Sequence, residues 1–558
     1  MGIPAYFSWL IRNHPKIIEI LENIDFVDNL YLDSNSIIYD SIDFDQYENC
    51  EQFENYLIQS VLKKIEIIIA LINPKKRLII AFDGVPPIAK LNQQKNRRYK
   101  SWFQAFTLNN KVLWDSCAIT PGTLFMEKLN CGITEYFAEK QSAYNIILSL
   151  TDKPGEGEHK IFEYIRTVDH VADNTIIYGM DADLIMLSLN HLKYCKSIYL
   201  FRETPVFINS LDSTLNPNEK YLINILELGS QIFKELTSIE ITDISDAPTW
   251  LTEAEEILEN TFDNVDICGN NTYATTYTSK SDIYYSKIDD YIFICFLLGN
   301  DFMPHFPAIN IRMNGFTVLF ELYKSLFGIN KQLICNGKIV WTNFKTYIGK
   351  LAENEHNFIV ENFNIKMKQS KKYFPESTQA EKEHKFVNIP TWEKNIENFI
   401  NPLEPDWEFR YYYSLFGVNI DKDPSIISRI CANYLQTLQW TYYYYSKECV
   451  NWSHYYKYSY PPLLIDLYKH IPYFNSELVL GENKHVLNPK LLLSYVLPKN
   501  SLYLLPKNIH NYLLKNYENN FREDYEFEYA FCKYFWEGHV KFPKLDFDKF
   551  STDILKLI

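Results

Sequence analysis

The chain has 558 residues, 47% of them hydrophobic, 16% aromatic and 22% charged, and its 55 Lys and Arg against 70 Asp and Glu give a formal net charge of −15. That length predicts two to four domains, the apolar and aromatic content excludes global disorder, and the longest apolar runs fall far short of the roughly 20 residues a bilayer span needs. The acidic balance argues against a generic nucleic-acid coat, but not against an enzyme that meets nucleic acid through one local basic patch.

The start, MGIPAYFSWL, carries no basic region and no small-residue cleavage site, so no secretory signal is expected. Gly2 invites an acylation reading, but Tyr6 stands where that motif wants Ser or Thr. The ten cysteines are scattered without a C-x-x-C pair and read as reduced thiols of an intracellular protein.

In chain order, LYLDSN (Leu30–Asn35) predicts a buried strand whose tip delivers Asp33, and Glu51–Leu71 predicts a helix. RLIIAFDG (Arg77–Gly84) predicts a second such strand, delivering Asp83. The next run, Ile88–Ser101, holds Lys90, Lys95, Arg97, Arg98 and Lys100 and no acid. On a helix, Lys90, Gln94, Arg97 and Arg98 follow i, i+4, i+7, i+8 spacing and share one face. Guanidiniums, an ammonium and an amide on one face suit a terminal phosphate; a solvated basic face is the bland alternative.

KPGEGEHKIFEYIR (Lys153–Arg166) reads as a turn followed by a helix with Glu156 and Glu158 at its start, where the helix dipole favours carboxylates. His159 falls in the helical register and is left out of the site. TIIYGMDAD (Thr175–Asp183) predicts a third strand, delivering Asp181 and Asp183. Strand–helix alternation of this kind predicts an α/β sheet with its site at the strands' carboxyl ends.

Residues 234–287, acidic and then rich in Asn, Thr and Ser, read as an insertion or mobile loop. Helical periodicity resumes at Ile288–Leu298 and ends at Gly299–Asp301. Charges from Lys366 to Lys385 suggest an exposed connector, and from about Asp406 a second region begins, mostly helical and dense in tyrosine. The expected division is a catalytic region over 1–345, a connector over 346–405 and the second region over 406–558.

Asp33, Asp83, Glu156, Glu158, Asp181, Asp183 and Asp301 would repel one another if crowded together, unless hard cations neutralised them. Two Mg²⁺ or Mn²⁺ ions roughly 4 Å apart would do so, activating water and stabilising the leaving oxygen of a phosphodiester. No Cys/His cluster offers a softer site. Aromatic rings for stacking on unpaired bases are offered by Tyr39, six residues beyond Asp33, and by Trp452 and His454 in YYYYSKECVNWSHYYKYSYPP. Most of the 42 tyrosines must nevertheless be structural.

Taken together, MGIPAYFSWL, AFDGVPPIAKLNQQKNRR, KPGEGEHKIFEYIR, IIYGMDADLIMLSL, FICFLLGNDFMPHFP and LQWTYYYYSKECVNWSHYYKYSYPP resemble the Xrn-type 5′→3′ exoribonuclease family. The resemblance implies a PIN-like or flap-nuclease-like α/β catalytic domain with a parallel sheet flanked by helices, and a helical region packed against it. It implies processive release of mononucleotides from single-stranded RNA with a 5′ monophosphate, in messenger turnover. It assigns the seven carboxylates to the metals and Lys90, Gln94, Arg97 and Arg98 to the 5′ phosphate. Tyr39 stands where the family usually has histidine, and NWSHYY replaces SWSWYY, leaving Trp452 and His454 as alternatives for the second stacking ring. The chain also stops soon after the second region, a minimal form without long C-terminal extensions. A monomer in the cytoplasm is the default expectation, with the nucleus as the alternative. The competing functions are a flap- or gap-processing DNA endonuclease and a catalytically silent scaffold that binds RNA 5′ ends.

Overall fold

The structure, a computed structural model, describes residues 5–24, 26–110, 113–140, 144–239, 280–479 and 481–558. Gly2 and most of the 234–287 segment lie outside the described residues. The chain opens with helix α1 (Tyr6–Asn13), strand β1 (Ile18–Ile20), strand β2 (Asn29–Asp33) and helix α2 (Asn35–Asp40). Helix α3 (Cys50–Ile72), strand β3 (Arg77–Ala81), helix α4 (Ile88–Thr107), helix α5 (Leu124–Ala138) and strand β4 (Asn145–Ser149) follow. Then come helix α6 (Gly157–Thr167), strand β5 (His170–Tyr178), helix α7 (Asp183–His191), strand β6 (Cys195–Phe201), strand β7 (Tyr221–Asn224) and helix α8 (Ile225–Thr237).

The seven strands form one sheet in the order β1-β7-β6-β5-β2-β3-β4. Pairs among β2 to β6 are parallel, while β7 runs antiparallel to both β6 and β1. From β2 the chain winds outward through β3 and β4, then returns to the other side of β2 as β5. The β2/β5 boundary is therefore the topological switch point, where an open α/β sheet leaves a crevice at its carboxyl edge. Alternation along the strands serves two cores: Tyr31, Ile79 and Ile177 face one, and Leu30, Leu32, Leu78, Ile80 and Ile176 face the other.

Helix α3 covers the second face with Phe53, Leu57, Val61, Ile65 and Ile69, one residue per turn at a spacing of four. Asn49 starts it by accepting the Gln52 N–H, and Asn73 ends it in the left-handed conformation at φ 53°. The other face is covered by α6, α7, α8 and the helix Lys280–Cys295, whose Tyr291 hydroxyl is 3.0 Å from that of Tyr6.

Residues 346–405 are helical rather than a bare connector. Helices Trp341–Ala352, Glu355–Gln369 and Asn395–Ile400 insert Phe344, Tyr347, Ile348, Leu351, Ile359 and Ile400 into the main core, and Gln379–Val387 buries Phe386 in a smaller cluster with Leu108 and Phe535. Their charges line outer faces or pair: Glu397 is buried between Lys366 (3.1 Å) and Lys394 (2.6 Å) and accepts the Phe531 N–H. A run of charges by itself does not distinguish a linker from the outer face of packed helices, which is why the sequence suggested a connector. The helix Ser425–Ser446 is buried on all sides from Tyr442 to Tyr445. No described helix is long and apolar enough to cross a membrane.

Glu355 carries a testable pH dependence. Its buried carboxylate accepts the Leu464 and Ile465 N–H groups (2.6 and 3.0 Å) at the start of the helix Leu464–His470. Burial pushes its pKa up from 4.5 to about 7, the two N–H groups opposing only in part. The folded chain therefore holds this proton where the unfolded chain has lost it, and stability falls as pH rises between those values. Urea denaturation of Glu355→Gln should show a loss of about 3 kcal/mol of that pH dependence relative to the parent. Unchanged pH dependence would exclude the titration of Glu355 as its source.

Candidate active site

The carboxyl ends of β2, β3 and β5 deliver the acidic residues to one crevice. Asp33 ends β2 and is buried, with Oδ1 lacking any hydrogen-bond partner among the described residues. Asp83 follows β3; its Oδ2 accepts from Asn35 Nδ2 (2.7 Å) and its Oδ1 from the Gly157 N–H (2.7 Å). Glu156 stands at the N-cap of α6 and Glu158 in its first turn, both buried. Asp183 opens α7 and is buried, with Asp181 exposed two residues earlier.

Close backbone approach is what assembles them. A Cβ on Gly84 would lie 1.8 Å from the Lys153 carbonyl oxygen, so only glycine lets the loop after Asp83 meet the GEGE turn. A Cβ on Gly157 would lie 2.5 Å from Asp33 Oδ1, so a bare backbone there leaves room for that carboxylate.

Burial and mutual repulsion set the electrostatics. Asp33 is pushed well above the usual carboxylate range by burial, then by Asp83 and Asp181; Glu158 is raised by burial, then by Asp33 and Glu156. Burial and Asp301 bring Asp183 to about 7. The Lys90 ammonium lies between Glu156 Oε2 (2.5 Å) and Asp301 Oδ2 (2.6 Å). Burial works against its charge, but Asp301 and Glu156 outweigh burial and raise its pKa. Burial would also raise Asp301, yet Lys90 wins and pulls it down; Glu156, with Asp83 also near, stays raised.

The structure thus separates the predicted basic face. Lys90 joins the carboxylates, while Gln94 and Arg98 are buried together further along the helix. Arg98 Nη2 donates to Thr120 Oγ1 (2.9 Å) and Nη1 to Gln94 Oε1 (3.3 Å). Arg98 is buried and makes no ion pair among the described residues; burial lowers its pKa. Arg97 is exposed on the same helix and acts electrostatically on both Arg98 and Asp301. Tyr39, 45% exposed on α2, acts electrostatically on Arg98 as well.

Trp452 and His454 lie in the loop that docks on α4, where the Trp452 carbonyl accepts the Ile88 N–H (2.9 Å). Trp452 is half-buried. His454 Nε2 is 3.0 Å from Thr437 Oγ1, its ring is 6.0 Å from Trp440, and burial lowers it to about 4.

Residues not singled out in the sequence complete the site. The buried Tyr444 hydroxyl donates to Glu156 Oε1 (2.9 Å), and its ring stacks on His159 with centroids 3.7 Å apart. Tyr445 engages Asp183, Asn35 steadies Asp83, and Thr120 holds Arg98. Nothing within the run Tyr442–Tyr445 marks which ring turns towards the carboxylates. Asn35 and Thr120 were signalled only by being polar residues near an element end.

As metal donors the carboxylates are hard oxygens without a cysteine among them, and the partnerless Asp33 oxygen suits a cation. No three acidic, histidine or cysteine side chains among the described residues stand as a ready-made coordination shell. The cation between Glu156 and Asp301 is the Lys90 ammonium. The donor chemistry fits Mg²⁺ or Mn²⁺, with adjustment of the side chains around Lys90.

Comparison with known proteins covers most of the chain. The family model described as XRN 5'-3' exonuclease N-terminus matches residues 1–204, and the one described as Xrn1 helical domain matches 284–399 and 366–557. The chain is 29% identical over 528 residues to 5'-3' exoribonuclease 1 of Homo sapiens, covering 84% of this chain and 29% of that protein. It is 25% identical to 5'-3' exoribonuclease 1 of Saccharomyces cerevisiae, covering 84% of this chain and 37% of the relative. Against that yeast's 5'-3' exoribonuclease 2 the identity is 30%, covering 64% and 39%. The chain therefore spans well under half the length of these relatives.

Proposed function

The chain belongs to the Xrn family of 5′-3′ exonucleases, and from that premise we propose that it hydrolyses single-stranded RNA stepwise from a 5′ monophosphate, releasing mononucleotides. The observation that carries this reading is that one helix, α4, holds both kinds of site. Its start places Lys90 among the buried carboxylates, and about 12 Å of helix rise later Arg98 lies buried without a carboxylate partner. A rigid helix between the group that recognises an end and the group that cuts fixes the distance of the cut from that end.

Gln94, Arg97 and Arg98 bind the 5′ phosphate, Arg98 through its two-pronged guanidinium. Tyr39 and one ring of the docking loop, Trp452 or His454, stack on the first bases. Bound among Asp33, Asp83, Glu156, Glu158, Asp181, Asp183 and Asp301, two Mg²⁺ or Mn²⁺ ions would supply the Lewis acidity that activates water and stabilises the leaving oxygen. Lys90 holds Glu156 and Asp301 in place, and Tyr444 orients Glu156. Each cut leaves a new 5′ monophosphate, so the product end is again a substrate. RNA as the substrate class is supported by the names of the relatives.

The test compares one RNA bearing a 5′ monophosphate, triphosphate or hydroxyl, each with Mg²⁺ and with EDTA. Mononucleotides should appear rapidly only from the monophosphate form and only with Mg²⁺. Equal attack on all three ends would refute the pocket assignment, and internal fragments would favour an endonuclease. In the same assay, Arg98→Met should lower kcat/KM on the monophosphate RNA by about a hundredfold, the loss of charge-assisted hydrogen bonds, and leave the slow 5′-hydroxyl reaction unchanged. An equal loss on both ends would instead mark Arg98 as structural.

A further inference from the structure

Arg202 follows β6 at the same edge of the sheet as Asp33 and Asp83, and neither the carboxylate cluster nor the pocket on α4 uses it. Its guanidinium lies over the Phe7 ring, 3.9 Å from the centroid. Its Nε is buried without a hydrogen-bond partner among the described residues. It makes no ion pair there either, and Asp181 acts on it only electrostatically. Arg202 as a whole is half-buried, so its outer nitrogens reach the surface while its Nε is desolvated and unpaired; a planar two-pronged donor left open in this way matches a phosphate.

The strand order says which phosphate. Across the edge the order is β3, β2, β5, β6. The helix carrying Arg98 leaves from β3, Asp33 ends β2, Asp181 and Asp183 follow β5, and Arg202 follows β6. At about 4.8 Å per strand, β6 lies about 14 Å from β3, with the carboxylates between. An RNA whose 5′ phosphate sits on α4 and whose backbone crosses the carboxylates arrives next at β6. We propose that Arg202 binds a backbone phosphate on the 3′ side of the scissile bond, holding the strand that remains after each cut; this rests on the exoribonuclease reading above.

The test measures binding in EDTA of two 5′-phosphorylated RNAs, a dinucleotide, which ends just beyond the scissile bond, and an oligomer several nucleotides longer. Arg202→Gln should weaken the oligomer about tenfold and leave the dinucleotide within about twofold. The slope of log affinity against log salt for the oligomer should become shallower by about 0.7, the value for one phosphate on a single strand. Arg202→Lys should keep that slope. Independently of any variant's folding, an uncharged methylphosphonate at the linkage 3′ to the scissile one should weaken the parent protein by the same factor. Equal weakening of both RNAs, or an unchanged salt slope with the methylphosphonate tolerated, would overturn the proposal while leaving the exoribonuclease reading intact. Failure of the parent protein to bind either RNA would overturn both.

Discussion

Asp33→Asn is expected to lower RNA hydrolysis by about a thousandfold or more, and to raise the melting temperature of the metal-free protein. The two effects have one cause. Asp33 is buried at the tip of β2, next to the charges of Asp83, Asp181 and Glu156, with an oxygen that no described group satisfies. Its folded pKa is raised, so above its ordinary pKa this carboxyl destabilises the fold, increasingly as pH rises towards the folded value. An amide of the same shape removes that burden together with the charge the reaction needs. Turnover of a 5′-phosphorylated RNA and thermal denaturation in EDTA check the pair. Activity within tenfold of the parent would remove Asp33 from the reacting set, and a lower melting temperature would mean that its carboxylate is satisfied in the fold.

Lys90→Met is expected to act on stability in the opposite direction, by about 3–5 kcal/mol in EDTA. Methionine keeps an apolar stem of similar reach but leaves Glu156 and Asp301 buried without the cation between them. Urea denaturation should show the loss, and adding Glu156→Gln to Lys90→Met should recover part of it, because two contacting residues do not contribute additively. Mg²⁺ should recover part of it as well, since an ion that binds only the folded form stabilises it by mass action. A loss below about 1 kcal/mol would mean that the ammonium does not balance these carboxylates.

Much of the architecture was legible in the sequence because it is written in neighbouring residues. Asp33 and Asp83 close or follow short β-rich runs, and those runs are parallel strands whose carboxyl ends meet in one crevice. The spacing of Lys90, Gln94, Arg97 and Arg98 gave the helix, and α4 spans them all. The stretch 346–405 was harder to read because charged residues dominate its pattern, while the apolar residues that bury it are spread over four short helices. The roles within the basic face were harder still. Lys90 and Arg98 share a helical stripe, and the arrival of Glu156 and of Asp301, 211 residues away, draws Lys90 into the acidic cluster.

The same distinction holds across the molecule. The sequence by itself marked out the candidate residues: seven carboxylates at or near element ends, a basic helix after the second strand, and aromatic runs beyond. Backbone propensity and side-chain period act over a few residues and can be read locally. Only the tertiary structure decided which of those residues meet. It set Tyr444 on Glu156 across 288 residues, tied His454 to Thr437, and put Arg202 at the end of β6, two strands across the sheet from β2 and Asp33. These pairings depend on which strand lies beside which and on which face of a buried helix turns inward, and both are fixed when the whole core closes.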